Sequence, residues 1–370
     1  MAEDLLTSYQ CPNCNGPLHF DAEEQKLKCD SCGTLYTVEE IQKYYTEKNS
    51  KVASVDVDKT QKAAAENLQW TEEEKTHLRA YNCPSCGAQL ITDTETAATS
   101  CPYCGNPTVV PSQFEGSLKP DSIIPFKLIK EDAVKNLKNY YHKKPFLPKE
   151  FSEDNHIEEI KGVYVPFWLY DSDAEVHLQY DGSRTMSHIE GDYNVTVTEH
   201  YLVRRDGTVA FNMVPADASS KMPDDLMDSI EPFNYEDLQD FSMSYLPGYL
   251  ADRYDVSSES DADRADLRMR NTALDSIKET AEGLYMNLFP QKEEIIIHPD
   301  HVHYVFLPVW MLSTQWNGKH YLFAMNGQTG KLIGDLPVDR KKFWLTFVLI
   351  AGIGMVIMYI LLFVIMGGAA

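Results

Sequence analysis

The sequence predicts a multidomain chain: two tandem four-cysteine modules of small β structure, then an α+β domain with mainly antiparallel sheet, then one C-terminal helix long enough to cross a membrane. Three observations carry this. Eight cysteines fall into two quartets of identical spacing, residues 119–338 alternate short apolar runs with turn residues, and Phe343 to Met366 holds no charge and no proline.

The first quartet is Cys11, Cys14, Cys29 and Cys32, and the second is Cys83, Cys86, Cys101 and Cys104. Each reads C-x2-C, fourteen residues, C-x2-C, and the second lies 72 positions after the first at every member. A constant offset of this kind is an internal repeat. Two residues between cysteines make a tight knuckle that aims both thiolates at one ion. The fourteen between knuckles form a hairpin that brings the second pair opposite the first, completing a tetrahedral sulfur site. Gly33, Gly87 and Gly105 follow the second cysteine of three knuckles and Asn15 that of the fourth, which suits a residue at positive φ. Four thiolates close the coordination sphere of zinc, so each ribbon, 1–50 and 81–112, is predicted to hold one structural Zn2+ with no open position for water. A redox cysteine pair would need a βαβ setting that is absent, the reducing compartment implied by the C-terminal span disfavours disulfides, and an iron–sulfur cluster fits the two-plus-two knuckles less well.

Residues 51–80 read as a charged helical spacer. Ala63, Ala64 and Ala65 favour helix, and Thr71 and Glu74 stand at capping-box spacing ahead of a short helix to about Arg79. Pro111 and the stretch Gly116 to Pro120 mark the boundary of the middle domain, 119–338.

Within that domain Val134, Leu137, Tyr140 and Tyr141 give a helical face near 130–142. Asp206-Gly207 predicts a hairpin turn between strands 199–205 and 208–214. A turn at Gly327 to Gly330 separates strands 320–326 and 331–335. The run Val163-Tyr164-Val165-Pro166-Phe167-Trp168-Leu169 matches Val305-Phe306-Leu307-Pro308-Val309-Trp310-Met311. The match predicts two related units, pseudo-symmetric halves of one domain. Proline inside such a strand implies an edge or a bulge, and Trp168 and Trp310 read as core rather than as a recognition surface. A helix from about Asp261 to Leu288 would carry Leu267, Leu274, Ala281 and Leu288 as an apolar stripe, stopped by Pro290.

The 24 residues from Phe343 to Met366 make a helix of roughly 36 Å, enough for a hydrocarbon core of about 30 Å. Trp344 sits at the entry, preceded by Arg340, Lys341 and Lys342 and followed only by small residues after the span ends. The positive-inside bias puts the bulk of the chain in the cytoplasm and the short C-terminus outside, as a single-pass, tail-anchored protein of the cell membrane.

The formal charge of −23 argues against nucleic acid as a partner, because phosphate binding rests on Lys and Arg. The second ribbon has Asp93 and Glu95 and no basic residue at all. No nucleophile elbow appears, Gly327, Gly330 and Lys331 lack phosphate-loop spacing, and His298, His301 and His303 lack a further ligand nearby. No small-molecule substrate is evident, and the chain is expected not to be an enzyme.

The paired Cys-Pro-x-Cys-Gly knuckles resemble TFIIB-type zinc ribbons. With the acidic α+β middle and the single span, the chain resembles the bacterial TFIIB-type zinc-ribbon membrane proteins. That resemblance implies a membrane-anchoring adaptor or scaffold in membrane stress or homeostasis, with cytoplasmic phage-shock-like or flotillin-like proteins as partners. The expected function is therefore non-catalytic recruitment of protein partners by a distal ribbon module. The alternatives are a transcription-linked nucleic-acid regulator and an enzyme with an unrecognised site in the α+β domain.

Overall fold

The computed structural model describes residues 11–14, 18–50, 70, 74–75, 77–93, 100–106, 110–112, 118–154 and 160–367. Alanines 63–65, Thr71 and Asn15, on which the spacer helix and one knuckle turn were read, lie outside them.

Three short strands, β1 (Leu18–Asp21), β2 (Lys26–Cys29) and β3 (Leu35–Tyr36), form an antiparallel sheet of their own, followed by α1 (Val38–Ser50). A larger sheet starts with β4 (Leu78–Asn82), β5 (Gln89–Asp93) and β6 (Val110–Ser112). A helix to Arg79 is thus cut short, since β4 begins at Leu78. The chain continues through β7 (Ser122–Ile123), α2 (Lys130–His142), α3 (Lys149–Asp154), β8 (Lys161–Glu190), β9 (Tyr193–Asp217) and α4 (Asp224–Ile230). It closes with β10 (Gln239–Asp240), β11 (Leu250–Asp252), α5 (Ser258–Glu279), β12 (Asn287–Trp316), β13 (Lys319–Asn326), β14 (Leu332–Gly334) and α6 (Arg340–Gly367). The sheet runs β10-β7-β12-β8-β11-β5-β4-β6, with β9 hairpinned onto β8 and β13 onto β12.

The repeated heptads are the centre of this sheet. They pair with each other antiparallel, Val163 opposite Val309, Val165 opposite Leu307 and Phe167 opposite Val305. A local two-fold axis passes between Val165 and Leu307, and it organises everything around them. Parallel β11 flanks β8 at Val163–Tyr164 as parallel β7 flanks β12 at Val305–Phe306. Antiparallel β9 joins β8 from Phe167, opposite Asp217, as β13 joins β12 from Val309, opposite Asn326. The Trp168 indole donates to Val256 O at 2.9 Å, and the Trp310 indole to Leu128 O at 3.0 Å. Two residues beyond each acceptor begin α5 and α2. Each half is therefore a strand, helix, strand, strand unit.

Both faces of the central strands are covered, which explains why their sequence is continuously apolar rather than alternating. Trp168, Trp310, Tyr164 and Phe306 pack under α2, α5 and the first ribbon, while Val163, Val165, Leu307 and Val309 pack against the second ribbon and α4. The two tryptophans are 5% exposed and belong to the core. The prolines do not mark edges. Pro166 and Pro308 sit in the two innermost strands, each where the lateral neighbour changes, from β11 to β9 and from β7 to β13. Their carbonyls accept from Ala218 N (2.9 Å) and Gly327 N (2.8 Å) across those forks, so a missing donor there breaks no ladder.

Two readings of the middle domain change. Asp206-Gly207 is no turn: β9 passes straight through it, and β8 reverses at Gly191-Asp192 instead. Gly207 lies under the overlying α5, where a Cβ would stand 2.8 Å from Ile277 Cδ1. The long helix ends at Glu279, and Leu288 belongs to β12. Its packing face is Ala265, Met269 and Ala273, whereas Leu267 is 59% exposed. Small residues face the sheet because the helix lies close on it, a constraint that periodicity of large apolar residues does not report.

β8, β9 and the start of β12 extend past the two-fold core as a three-stranded arm. Ala174, Val176, Leu178, Tyr180 and Val203 form a separate core cluster with Ala273 and Ala281. At the opposite end, Asp339 opens α6: its carboxylate accepts from Lys341 N (3.0 Å) and Lys342 N (3.1 Å), and its own N–H donates to Phe146 O (2.8 Å). Phe146 packs on Phe343. Beyond that contact α6 is long and apolar enough to cross a membrane, and no residue of Arg340–Tyr359 is buried.

Candidate metal centres

The structure brings together all eight cysteines as two groups of four. In each group every sulfur lies within 4.8 Å of the others. In the first ribbon Cys11 and Cys32 sulfurs are 3.5 Å apart, and Cys14 and Cys29 3.4 Å; in the second, Cys83–Cys104 and Cys86–Cys101 are both 3.6 Å. Zn–S bonds of about 2.3 Å in a tetrahedron put sulfurs about 3.8 Å apart, so both cages fit one zinc ion.

The knuckles are built alike. Gly33 N donates to Cys29 O, Gly87 N to Cys83 O and Gly105 N to Cys101 O, at 2.8, 2.9 and 3.0 Å. Cys29, Cys83 and Cys101 in turn donate their N–H to the carbonyls of Thr34, Ala88 and Asn106. The glycines have φ of +72°, +74° and +70°, which a side chain rarely adopts. One ligand pair of the first cage and both pairs of the second therefore rest on turns that a Cβ would strain.

The surroundings differ. In the first ribbon Cys14 and Cys32 are exposed. The Thr34 hydroxyl and backbone bring the Cys32 thiol down to about 6. In the second, burial pushes Cys86 up to about 11 and Cys101 higher still. The first ribbon leans on the body through Phe20, whose N–H donates to Pro247 O (3.2 Å) and whose ring meets Tyr245, and through Gln25 Nε2, which donates to Phe126 O (2.6 Å). A cleft of about 630 Å³ remains between His19–Glu23 and the Gly162, Tyr249 and Trp310 floor.

The second ribbon is part of the body. Its strand β5 pairs with β11 at Ile91–Ala251 and Leu90–Asp252. Cys83, Cys101 and Tyr103 belong to the same buried cluster as Val163, Leu307 and Met311, and Lys161 Nζ donates to Ser100 O at 2.7 Å. The first ribbon, by contrast, lends no strand to the main sheet among the described residues. Beside the second ribbon Asp252 is 1% exposed, accepting from Ser219 Oγ (2.7 Å) and Arg253 N (2.9 Å). Burial raises its carboxyl to about 7, against the opposing pull of the Tyr103 and Ser219 hydroxyls.

The other residues singled out in the sequence do not converge on a site. His303 meets Asp171 at 3.1 Å, and His298 and His301 lie at the surface. Gly327 O takes the N–H groups of Lys127 and Leu128, closing the second half of the fold rather than cradling a phosphate. Asp217 and Asp228 bind Arg264 at 2.8 and 2.5 Å, and Glu231 binds Arg268 at 2.6 Å, clamping α5 to α4 and β9.

Comparison with known proteins agrees with this picture. Residues 10–40 match the family described as Trm112p-like protein. Over 348 residues the chain is 35% identical to the uncharacterized protein YdjG of Bacillus subtilis (strain 168), covering 94% of this chain and 95% of that one. No solved structure matches.

Proposed function

The chain belongs to the family of the uncharacterized protein YdjG, and we propose that it is a zinc-stabilised adaptor that holds protein partners at the cytoplasmic face of the cell membrane. The observation that carries this reading is α6. A soluble core helix of such composition would be covered, yet this one stands bare from Leu345 to Tyr359 apart from half-buried Thr346 and Gly352, on a body whose core closes without it. A lipid core is the solvent that suits it. Trp344 and the Arg340–Lys342 cluster at its entry support an interfacial start with the bulk of the chain inside. Each zinc site offers four thiolates and leaves no place for a reacting water, so the metals are structural. Among the described residues no nucleophile, base and orienting group stand together, and the reading is non-enzymatic. The acidic body disfavours nucleic acid and would stand off an anionic leaflet. Partners of the phage-shock-like or flotillin-like kind fit such an adaptor.

Membrane fractionation tests the anchor and pull-down tests the role. The full chain should resist carbonate extraction, a chain ending at Asp339 should not, and both should return the same cytoplasmic proteins. Soluble behaviour of the full chain, or no specific protein from solubilised membranes, refutes the reading.

A further inference from the structure

The arm ends in a stretch the fold itself does not use. In the second half of the pseudo-symmetric body, β12 turns into β13 at Asn317-Gly318. The equivalent strands β8 and β9 run on to Glu190 and Tyr193. α5 covers one face of this extension, and Arg184 lies over the rings of Tyr201 and Tyr285 where that cover stops. β12 begins opposite Ser183, so from Arg184 outward β8 has only β9 beside it among the described residues.

Large apolar side chains gather on either side of this point. Met186, Ile189, Tyr193, Val197, Leu202 and Phe289 are 61, 81, 78, 43, 68 and 64% exposed. Met186 and Val197 are cross-strand partners on the face that α5 covers further down, while Leu202 and Phe289 flank Asp181 on the opposite face. Met186, Val197 and Tyr193 lie on one face and Ile189, Leu202 and Phe289 on the other, so whatever covers them must take the arm from both sides.

Charge and position select the occupant. The tip carries Asp181, Glu190, Asp192 and Glu199 against Arg184 alone. An anionic lipid surface or a second copy of this acidic chain would meet like charge there, and a basic protein surface would not. The tip also lies far from α6. α2 runs toward the β12–β13 turn, α6 starts beside its end, and the thirty residues of β12 separate that turn from the arm. At about 3.3 Å per residue this is on the order of 90 Å.

We propose that the distal arm is the docking site for a protein partner that presents an apolar cleft bordered by basic residues. The cleft takes the arm between its walls, one on the Met186–Val197 face and the other on the Leu202–Phe289 face, and the basic border meets the four carboxylates. This deepens the adaptor reading and rests on it.

A photo-crosslinking phenylalanine analogue at Tyr193 of the full-length chain tests it in cells. Leu267, exposed on α5 away from the arm, serves as the control position. The expected result is an adduct with another protein at Tyr193 and none at Leu267. The captured protein, once purified, should bind the detergent-solubilised full chain less tightly as salt rises. The double variant Ile189→Glu, Tyr193→Glu should weaken that binding by at least about tenfold while keeping its zinc content and thermal transition. An adduct at twice the chain mass, an adduct with lipid alone, no adduct, or binding indifferent to salt and to the double variant overturns the assignment. If the double variant still pulls down the same cytoplasmic proteins as the parent, the arm assignment falls and the adaptor reading stands. If neither pulls down anything, both fall.

Discussion

At the scale of single residues, several positions are set by what lies across from them. Gly162 opens β8 under the stacked rings of Tyr249 and Phe126, and a Cβ there would stand 2.5 Å from Tyr249 Cδ1. Both rings are buried and cannot swing away, so Gly162→Ala should lower stability by about 1–3 kcal/mol, read from denaturant midpoints. Asp252 makes a second prediction. Its folded carboxyl, near 7, titrates above the ordinary value of 3.8. The folded state therefore holds an extra proton between about pH 4 and 7, and this residue's contribution to stability falls as pH rises through that window. Asp252→Asn should flatten that slope, which unfolding curves at pH 4.5 and 7 would report. The cysteines and knuckle glycines were legible in the sequence because metal geometry fixes both spacing and φ. The strand at Gly207 was not: it passes under Ile277, seventy residues away, and without that neighbour Asp-Gly reads as a turn.

At the scale of elements, the two ribbons share a plan but not a situation. The first closes a small sheet of its own and packs its apolar side on the body without lending it a strand, with two thiols in solvent. The second lends β5 to the main sheet and its knuckle residues to the main core. Cys14→Ser should therefore cost one zinc ion and leave the main thermal transition nearly unmoved. Cys101→Ser should cost the other ion and lower that transition by several degrees, because β11 loses its neighbour. Calorimetry paired with metal analysis separates the two outcomes. Chelator should likewise strip the first site sooner than the second, which a zinc-sensitive dye can follow in time. Spacing reveals a metal site, but nothing in the cysteine pattern says whether its hairpin will join a larger sheet.

At the scale of the whole molecule, the repeat at 163–169 and 305–311 was legible because both copies are buried on two faces and both need proline at a fork. Its meaning was not, since only pairing reveals that the copies face each other. Elsewhere the halves diverge: the position of Ala133 in α2 is Asp261 in α5, and that of Ile124 is Asp252. The arm hid for a related reason, because alternation along β9 marks a strand without giving its length. The axis between Val165 and Leu307 has a consequence for chain connectivity. Each half supplies what the other lacks, so closure of the body depends on which strands meet and not on the order in which the polypeptide threads them. A half-length chain of this plan could complete itself by meeting its own duplicate.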